Sequence, residues 1–417
     1  MCDAELRGGA GHGSPREEKI GAAARVLQSA LVVESLICGK YKEGNTVMEK
    51  KRFVFISPTV SPPQVRFVSA LREYYDADFY FLDDCDEFAR RKPESAWKNE
   101  LREHCHVIPG CRRVLGRWFT WHILDVLRAT NPDILMLGGF SDWAAMIAYA
   151  WGRSHKCKIV IQTERSRNMA TGKLRNYGLA WRFLHWYYRR VDMIMATAAD
   201  IVPQFRDTFH FGDVVVAGRY PSIIDPYYQH PLRTERTSFT LLHANRLVDY
   251  YNPLASVRIF KKVLQRHPQT KMMMNASGPL RGEVEKLIAA LGIASKVTFL
   301  DGIRNWDDLN KIYASCDIMI LPATFSNGNY TVIECATSGM ACFISDKVLG
   351  NPELLQQAQP GSVLPLDEDV FSEKICEVIS HPSRFKELTE RSRDVYRACT
   401  NAETAKFYHD LFKRLYQ

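Results

Sequence analysis

The residues best suited to chemistry follow an apolar run, Ile318–Leu321, that opens into PATFSNGNYTVIECATSGMACFISD. A polar turn with one glycine leads directly into a helical pattern, then to a second glycine and another buried run. Amides at such a helix start carry partial positive charge and can hold a diphosphate. Ser326, Asn327, Gly328 and Asn329 occupy that turn. Glu334 lies within the first two turns of the helix and can accept hydrogen bonds from sugar hydroxyls. A generic strand–turn–helix with Glu334 on a solvated face fits the same residues. Arg246, in HANRLVDYY after the run Thr240–Ala244, carries a guanidinium shaped for bidentate phosphate contact. An arginine in a surface turn is its plain alternative. Gly302-Ile303-Arg304 follows Val297–Phe299 in what is equally a tight β–α turn.

The first half of the chain has two comparable strand exits. Ile134–Leu137 runs into Gly138-Gly139-Phe140-Ser141-Asp142. The glycines permit close backbone approach or positive φ, and Asp142 is expected to cap the next helix. Lys158–Gln162 ends at Thr163-Glu164-Arg165, where Glu164 either orients a ligand hydroxyl or pairs with Arg165 or Arg167. The run Asp83-Asp84-Cys85-Asp86 lacks the spaced donors of a metal site and reads as a solvated acidic turn.

These exits need elements to hold them. From Phe53 onward, apolar runs of four to six residues alternate with helical patterns, as in parallel sheets covered on both faces. Helices are expected at 64–75, 117–129, 142–151, 179–190, 254–266, 282–291, 306–315, 332–338, 370–379 and 402–416. Pro221–Ser238 reads as a linker between two such alternations. At 417 residues, two α/β units are the natural expectation. Residues 1–47 are Gly- and Ala-rich and are set aside as an expected disordered leader.

The start MCDAELRGGAGHGSPREEK lacks a secretory layout, no run approaches a membrane span, and eleven cysteines form no CxxC pair. A cytoplasmic protein with free thiols is expected. The net charge of +8 suits anionic partners. No nucleic-acid-binding motif accompanies it. Instead Cys111–Trp121 and Lys173–Arg190 interleave Arg and Lys with aromatic residues. On helical spacing these form either a basic aromatic surface for an anionic membrane face or a structural amphipathic helix.

The ordered set of Arg246, Ser277-Gly278-Pro279, Phe299…Gly302, Ala314…Asp317, Pro322 and Glu334…Ser338-Gly339 resembles retaining glycosyltransferases of family 4. The likeness is close from Phe239 to Asp346. It implies a GT-B fold, two Rossmann-like domains facing a cleft: 48–222 on the acceptor side, 223–395 on the nucleotide-sugar side, and a C-terminal helix in 396–417 returning to the first. It implies a nucleotide-sugar donor and no resident metal or cofactor. Arg246 matches the family's diphosphate-binding arginine, Glu334 its ribose-binding glutamate, and Gly302–Arg304 the place where the base rests. Gly138, Gly139, Asp142 and Glu164 fall on the acceptor side, where a lipid-linked or saccharide acceptor is expected. The sequence departs from the family at Tyr251, where a second diphosphate-binding cation stands, and at Ser326, where the first of two acidic residues seven apart stands. An epimerase, or a non-catalytic GT-B subunit that binds a nucleotide or a partner enzyme, is the alternative expectation.

Overall fold

The apolar runs become strands because their side chains are buried on both faces, as in Ile134–Leu137 and Ile318–Leu321, where every residue is buried. A computed structural model describes residues 50–83, 103–166, 178–229, 231–232, 238–301, 306–326, 330–350 and 352–417. In its first half, β1 (Arg52–Ser57), β2 (Asp76–Phe81) and β3 (Cys105–Val107) are followed by a small hairpin, β4 (Arg112–Val114) and β5 (Arg117–Phe119). Then come β6 (Ile134–Leu137), β7 (Lys158–Thr163), β8 (Met193–Ala196) and β9 (Val215–Ala217). All but the hairpin join a parallel sheet in the order β3-β2-β1-β6-β7-β8-β9. The second half contributes β10 (Thr240–His243), β11 (Lys271–Asn275), β12 (Val297–Leu300), β13 (Ile318–Leu321), β14 (Ala341–Ser345) and β15 (Val363–Leu364). They form a parallel sheet ordered β12-β11-β10-β13-β14-β15. Each order reverses once, between β1 and β6 and between β10 and β13. In open parallel sheets ligands bind at such reversals, beyond the strand C-terminal ends. The exits singled out at Gly138, Arg246 and Ser326 lie at these two points.

Several expected elements are corrected. No helix begins at Arg117. Residues 111–121 carry the hairpin, and the helix is His122–Thr130. The basic aromatic character of 111–121 is therefore displayed on strands. Pro221–Ser238 is not a free linker at its start: Ser222, Ile223, Ile224 and Tyr227 are buried, and Asp225–Gln229 forms a short 3-10 helix. Helices Pro352–Ala358 and Pro382–Tyr396 and the short strands β3 and β15 were not anticipated. The C-terminal helix Asn401–Phe412 packs on the first sheet. Phe412 stacks on Phe53 at 5.8 Å and Tyr408 meets Phe67 at 5.1 Å. Gln162 Nε2 donates to the Tyr408 hydroxyl at 2.9 Å, and that hydroxyl donates to the Arg219 carbonyl at 2.7 Å. No described helix is long and apolar enough to cross a membrane.

Candidate donor and acceptor site

At the second switch point three loops are clamped together around Arg246. The Leu247 N–H donates to Ser277 O at 2.8 Å, and the Leu280 N–H to Leu247 O at 3.0 Å. Gly278 makes this possible. Its φ is +146°, and a Cβ there would lie 2.3 Å from the Leu247 carbonyl oxygen. The Ser277-Gly278-Pro279 turn thus holds the backbone next to Arg246. On the other side, the Thr324 N–H donates to Tyr250 O at 2.9 Å, and the Leu349 N–H to Ser326 O at 3.0 Å. The Arg246 guanidinium is half-buried, its Nε has no partner, and no carboxylate among the described residues pairs with it. A fixed cation without a counter-ion is available to an anion.

The two departures touch each other. The Tyr251 hydroxyl is hydrogen-bonded to the side chains of Ser326 and Asn245. Burial raises the pKa of Tyr251 to about 12, with Tyr250 adding to the rise; the hydrogen bonds and the nearby Arg246 act against it. The phenol stays neutral at physiological pH. Ser326 is buried. Asn327, Gly328 and Asn329, and likewise Gly302 and Arg304, lie outside the described residues.

Glu334 sits in helix Tyr330–Ser338 and is 2% exposed. Its carboxyl is hydrogen-bonded to Tyr313, and Arg66, from the first half of the molecule, lies close enough to favour the anion. Burial outweighs both and pushes the pKa up to about 8. Glu334 is therefore shut off from solvent and largely protonated near neutrality, not solvated. Behind Arg246, His243 is fully buried. Its Nδ1 lies 2.9 Å from Ser256 Oγ, its Nε2 has no partner, and burial lowers its pKa to about 4.

At the first switch point Gly138 allows close approach. A Cβ there would lie 3.1 Å from Pro58 Cδ, while Gly139 adopts φ +121° and faces open space. Asp142 occupies the N-cap position of helix Trp143–Ser154, but its side chain makes no capping bond. The carboxylate instead accepts the Trp118 N–H at 2.9 Å, tying the hairpin to the helix. Burial raises its pKa against the opposing influence of that bond and of Arg117 and Arg113. Glu164 directly follows β7 and is exposed at that strand exit. Arg165 does not pair with it; its guanidinium meets Asp200 at 2.5 Å. Asp200 also receives the Gly350 N–H at 3.5 Å, a contact between the two halves. Arg167 lies outside the described residues. Tyr220 and Tyr330 lie beside Glu164, as Arg66 and Tyr313 lie beside Glu334, and sequence reading missed all four because no motif joins residues from separate elements.

Comparison with known proteins agrees with this fold. Residues 229–395 match the family model described as glycosyl transferases group 1. The chain is 29% identical over 160 residues to an uncharacterized glycosyltransferase of Methanocaldococcus jannaschii, covering 38% of this chain and 40% of that protein. It is 25% identical over 175 residues to the Vi polysaccharide biosynthesis protein VipC/TviE of Salmonella typhi, covering 40% of this chain and 29% of the relative. The matches thus span less than half the length of these curated relatives. The crystal structure of Anabaena HepE in complex with UDP is similar at a TM-score of 0.66 and 11% identity, covering 87% of this chain and 100% of that one. The fold is that of GT-B glycosyltransferases.

Proposed function

We propose that the protein transfers a sugar from a nucleoside diphosphate sugar to a hydroxyl acceptor, with retention at the anomeric carbon, in glycolipid or surface polysaccharide assembly. The observation that carries this reading is Arg246. It is fixed at the switch point of the group 1 segment without a counter-ion among the described residues. UDP in the Anabaena structure makes a uridine nucleotide the natural first probe. Arg246 would stabilise charge building on the departing diphosphate, the kind of preorganised electrostatic contribution that dominates many enzymes. Amides at the start of helix Tyr330–Ser338 would add to it. Glu334 would take the ribose hydroxyls once its contact with Tyr313 opens. The acceptor would enter from the side of Gly138, Gly139 and Glu164, and closure of the two halves would favour it over water. No resident metal or cofactor enters this reading.

An anionic membrane surface is the proposed location of the acceptor, at the cytoplasmic face. Leu115 is 87% exposed, Trp121 62% and Leu179 81%, with Phe183 and Trp186 also exposed on helix Gly178–Tyr188. Arg112, Arg113 and Arg189 lie among them, each over an aromatic ring. Apolar side chains ringed by guanidinium groups suit a headgroup layer.

A second reading, a non-catalytic nucleotide-binding subunit, is favoured by the neutral Tyr251–Ser326 pair and the enclosed Glu334. Incubation of the full chain with labelled UDP-, GDP- and ADP-sugars, with and without lipid-linked and saccharide acceptors, separates the two. Acceptor-dependent nucleotide release is expected of the transferase. Nucleotide binding without turnover would leave the non-catalytic reading.

A further inference from the structure

Helix Trp143–Ser154 has two apolar faces. Gly152 marks the one packed on the first sheet, where a Cβ would lie 3.1 Å from Ile159 of β7 and 3.3 Å from Leu135 of β6. The other carries Trp143, Met146, Ile147, Ala150, Trp151 and Ser154, which share one helical stripe. These six line a cavity of about 770 Å³, within the roughly 300–1,000 Å³ of small-molecule sites. From Trp143 to Ser154 the helix is roughly 16 Å long at about 1.5 Å per residue, so the cavity is a groove along its length. Val114 and Phe119 of the hairpin, Leu124 of helix His122–Thr130 and Tyr187 of helix Gly178–Tyr188 complete the walls. No residue assigned to either switch point lines it.

The neutral polar groups of this lining are already satisfied. Trp143 Nε1 donates to Val114 O at 2.9 Å, the Tyr187 hydroxyl to Met146 O at 2.8 Å, and Ser154 Oγ to Trp151 O at 2.7 Å. These bonds fix the walls and leave the rings to present apolar surface. A sugar or a base would find no free neutral partner among these groups. The remaining polar lining is two guanidinium groups, Arg112 and Arg128, both exposed at the rim. Arg112 pairs with no carboxylate among the described residues, and Arg128 meets only the exposed Asp125, at 3.3 Å. The groove is also continuous with the exposed aromatic surface. Phe119 packs edge-on against Trp121 at 5.1 Å, and Tyr187 stacks on Phe183 at 5.9 Å, which in turn lies 5.9 Å from Trp186.

We propose that this groove holds one acyl chain of an anionic membrane lipid, with Arg112 and Arg128 meeting the headgroup. An elongated apolar trough with cations at its rim complements a chain that ends in a negative charge. The inference deepens the membrane-surface reading. Adsorption needs only exposed rings and charge, whereas this site needs a chain lodged in the protein, so the two can fail separately.

The test is native mass spectrometry of the full chain after incubation with vesicles of equal phosphatidylglycerol and phosphatidylcholine, the vesicles then being removed by gel filtration. One phosphatidylglycerol per chain and no phosphatidylcholine is expected. Dodecyl phosphate, titrated below its micelle concentration, should bind at one site about tenfold or more tighter than dodecyl maltoside, which carries the same chain without the charge. Arg112→Ala should lose about tenfold of that affinity. Ala150→Trp puts an indole into the groove from an exposed position. It should weaken dodecyl phosphate about tenfold or more at an unchanged melting temperature and still co-sediment with the vesicles, while Ala150→Ser binds as the parent does. No retained phosphatidylglycerol, equal binding of the phosphate and the maltoside, or parent-like affinity in folded Ala150→Trp would overturn the groove. Co-sedimentation alongside any of these outcomes leaves the surface reading standing.

Discussion

The hydroxyl of Tyr251 reaches Ser326 and Asn245 beside Arg246. The resemblance places a cation at the first position and a carboxylate at the second. Here a neutral donor and a neutral hydroxyl stand in contact, so the two departures act as one joint change that removes one charge of each sign. Tyr251→Lys alone would set an ammonium beside Arg246 with no counter-ion, a destabilising arrangement. We expect it to lower the melting temperature while strengthening UDP binding, and Ser326→Glu in the same chain to recover stability. The double-mutant cycle should show coupling on the order of 1 kcal/mol; additive effects would separate the two positions. Glu334 gives a pH-dependent expectation. The folded protein holds its proton up to about pH 8, whereas the unfolded chain releases it near the ordinary value of about 4.3. The folded state binds more protons between those values, so this group lowers stability as pH rises through that window. Glu334→Gln should therefore melt higher than the parent at pH 8, with the gap shrinking toward pH 5. Arg246 and Glu334 could be singled out because an ordered motif surrounds them. Arg66, His243 and Tyr313 could not, because burial and cross-element contact, not spacing, set their surroundings.

Elements carry these side chains through backbone contacts that single substitutions can test. Gly278 lets the Ser277-Gly278-Pro279 turn lie against Leu247. Gly278→Ala would force Cβ into the Leu247 carbonyl and demand a positive φ of a residue with a side chain. A loss on the order of 2 kcal/mol of stability is expected, together with weaker UDP binding as the Arg246 loop shifts; chemical denaturation and calorimetry read the two. Helix and strand positions were mostly legible from apolar runs, and β6, β8 and β13 coincide with the expected strands. The hairpin was not. Its turn is Leu115-Gly116, with φ of +51° and +74° between Val114 and Arg117. Two positive φ angles in a two-residue loop usually announce themselves as Asn-Gly or Asp-Gly, and leucine at the first position conceals the turn. Asp142 misled for a related reason. The position favours a capping aspartate, but a hairpin invisible in the sequence takes its carboxylate.

The whole molecule sets a basic aromatic face on the first sheet's layer and, on the second, an arginine without a counter-ion among the described residues. If the exposed Leu115, Trp121, Leu179, Phe183 and Trp186 enter a headgroup layer, the protein should co-sediment with anionic vesicles and be released as salt rises. Equal recovery with neutral and anionic vesicles at low salt would remove the membrane from the account. The α/β class was legible because parallel strands covered on both faces leave continuous apolar runs, and the GT-B fold was legible through the resemblance carried by the ordered motifs from Phe239 to Asp346. The meeting of Glu164 with Tyr330 and of Arg66 with Glu334 was not, since contact between halves leaves no periodic trace in a sequence. The central claim is that the second switch point binds a nucleoside diphosphate through Arg246. Isothermal titration of the full chain with UDP, beside Arg246→Ala, tests it most directly. The account expects saturable binding by the parent and a loss of about ten- to a hundredfold in the variant, the worth of a charge-assisted contact. Absence of UDP, GDP and ADP binding at millimolar concentration, or equal affinity in a folded Arg246→Ala protein, would contradict it.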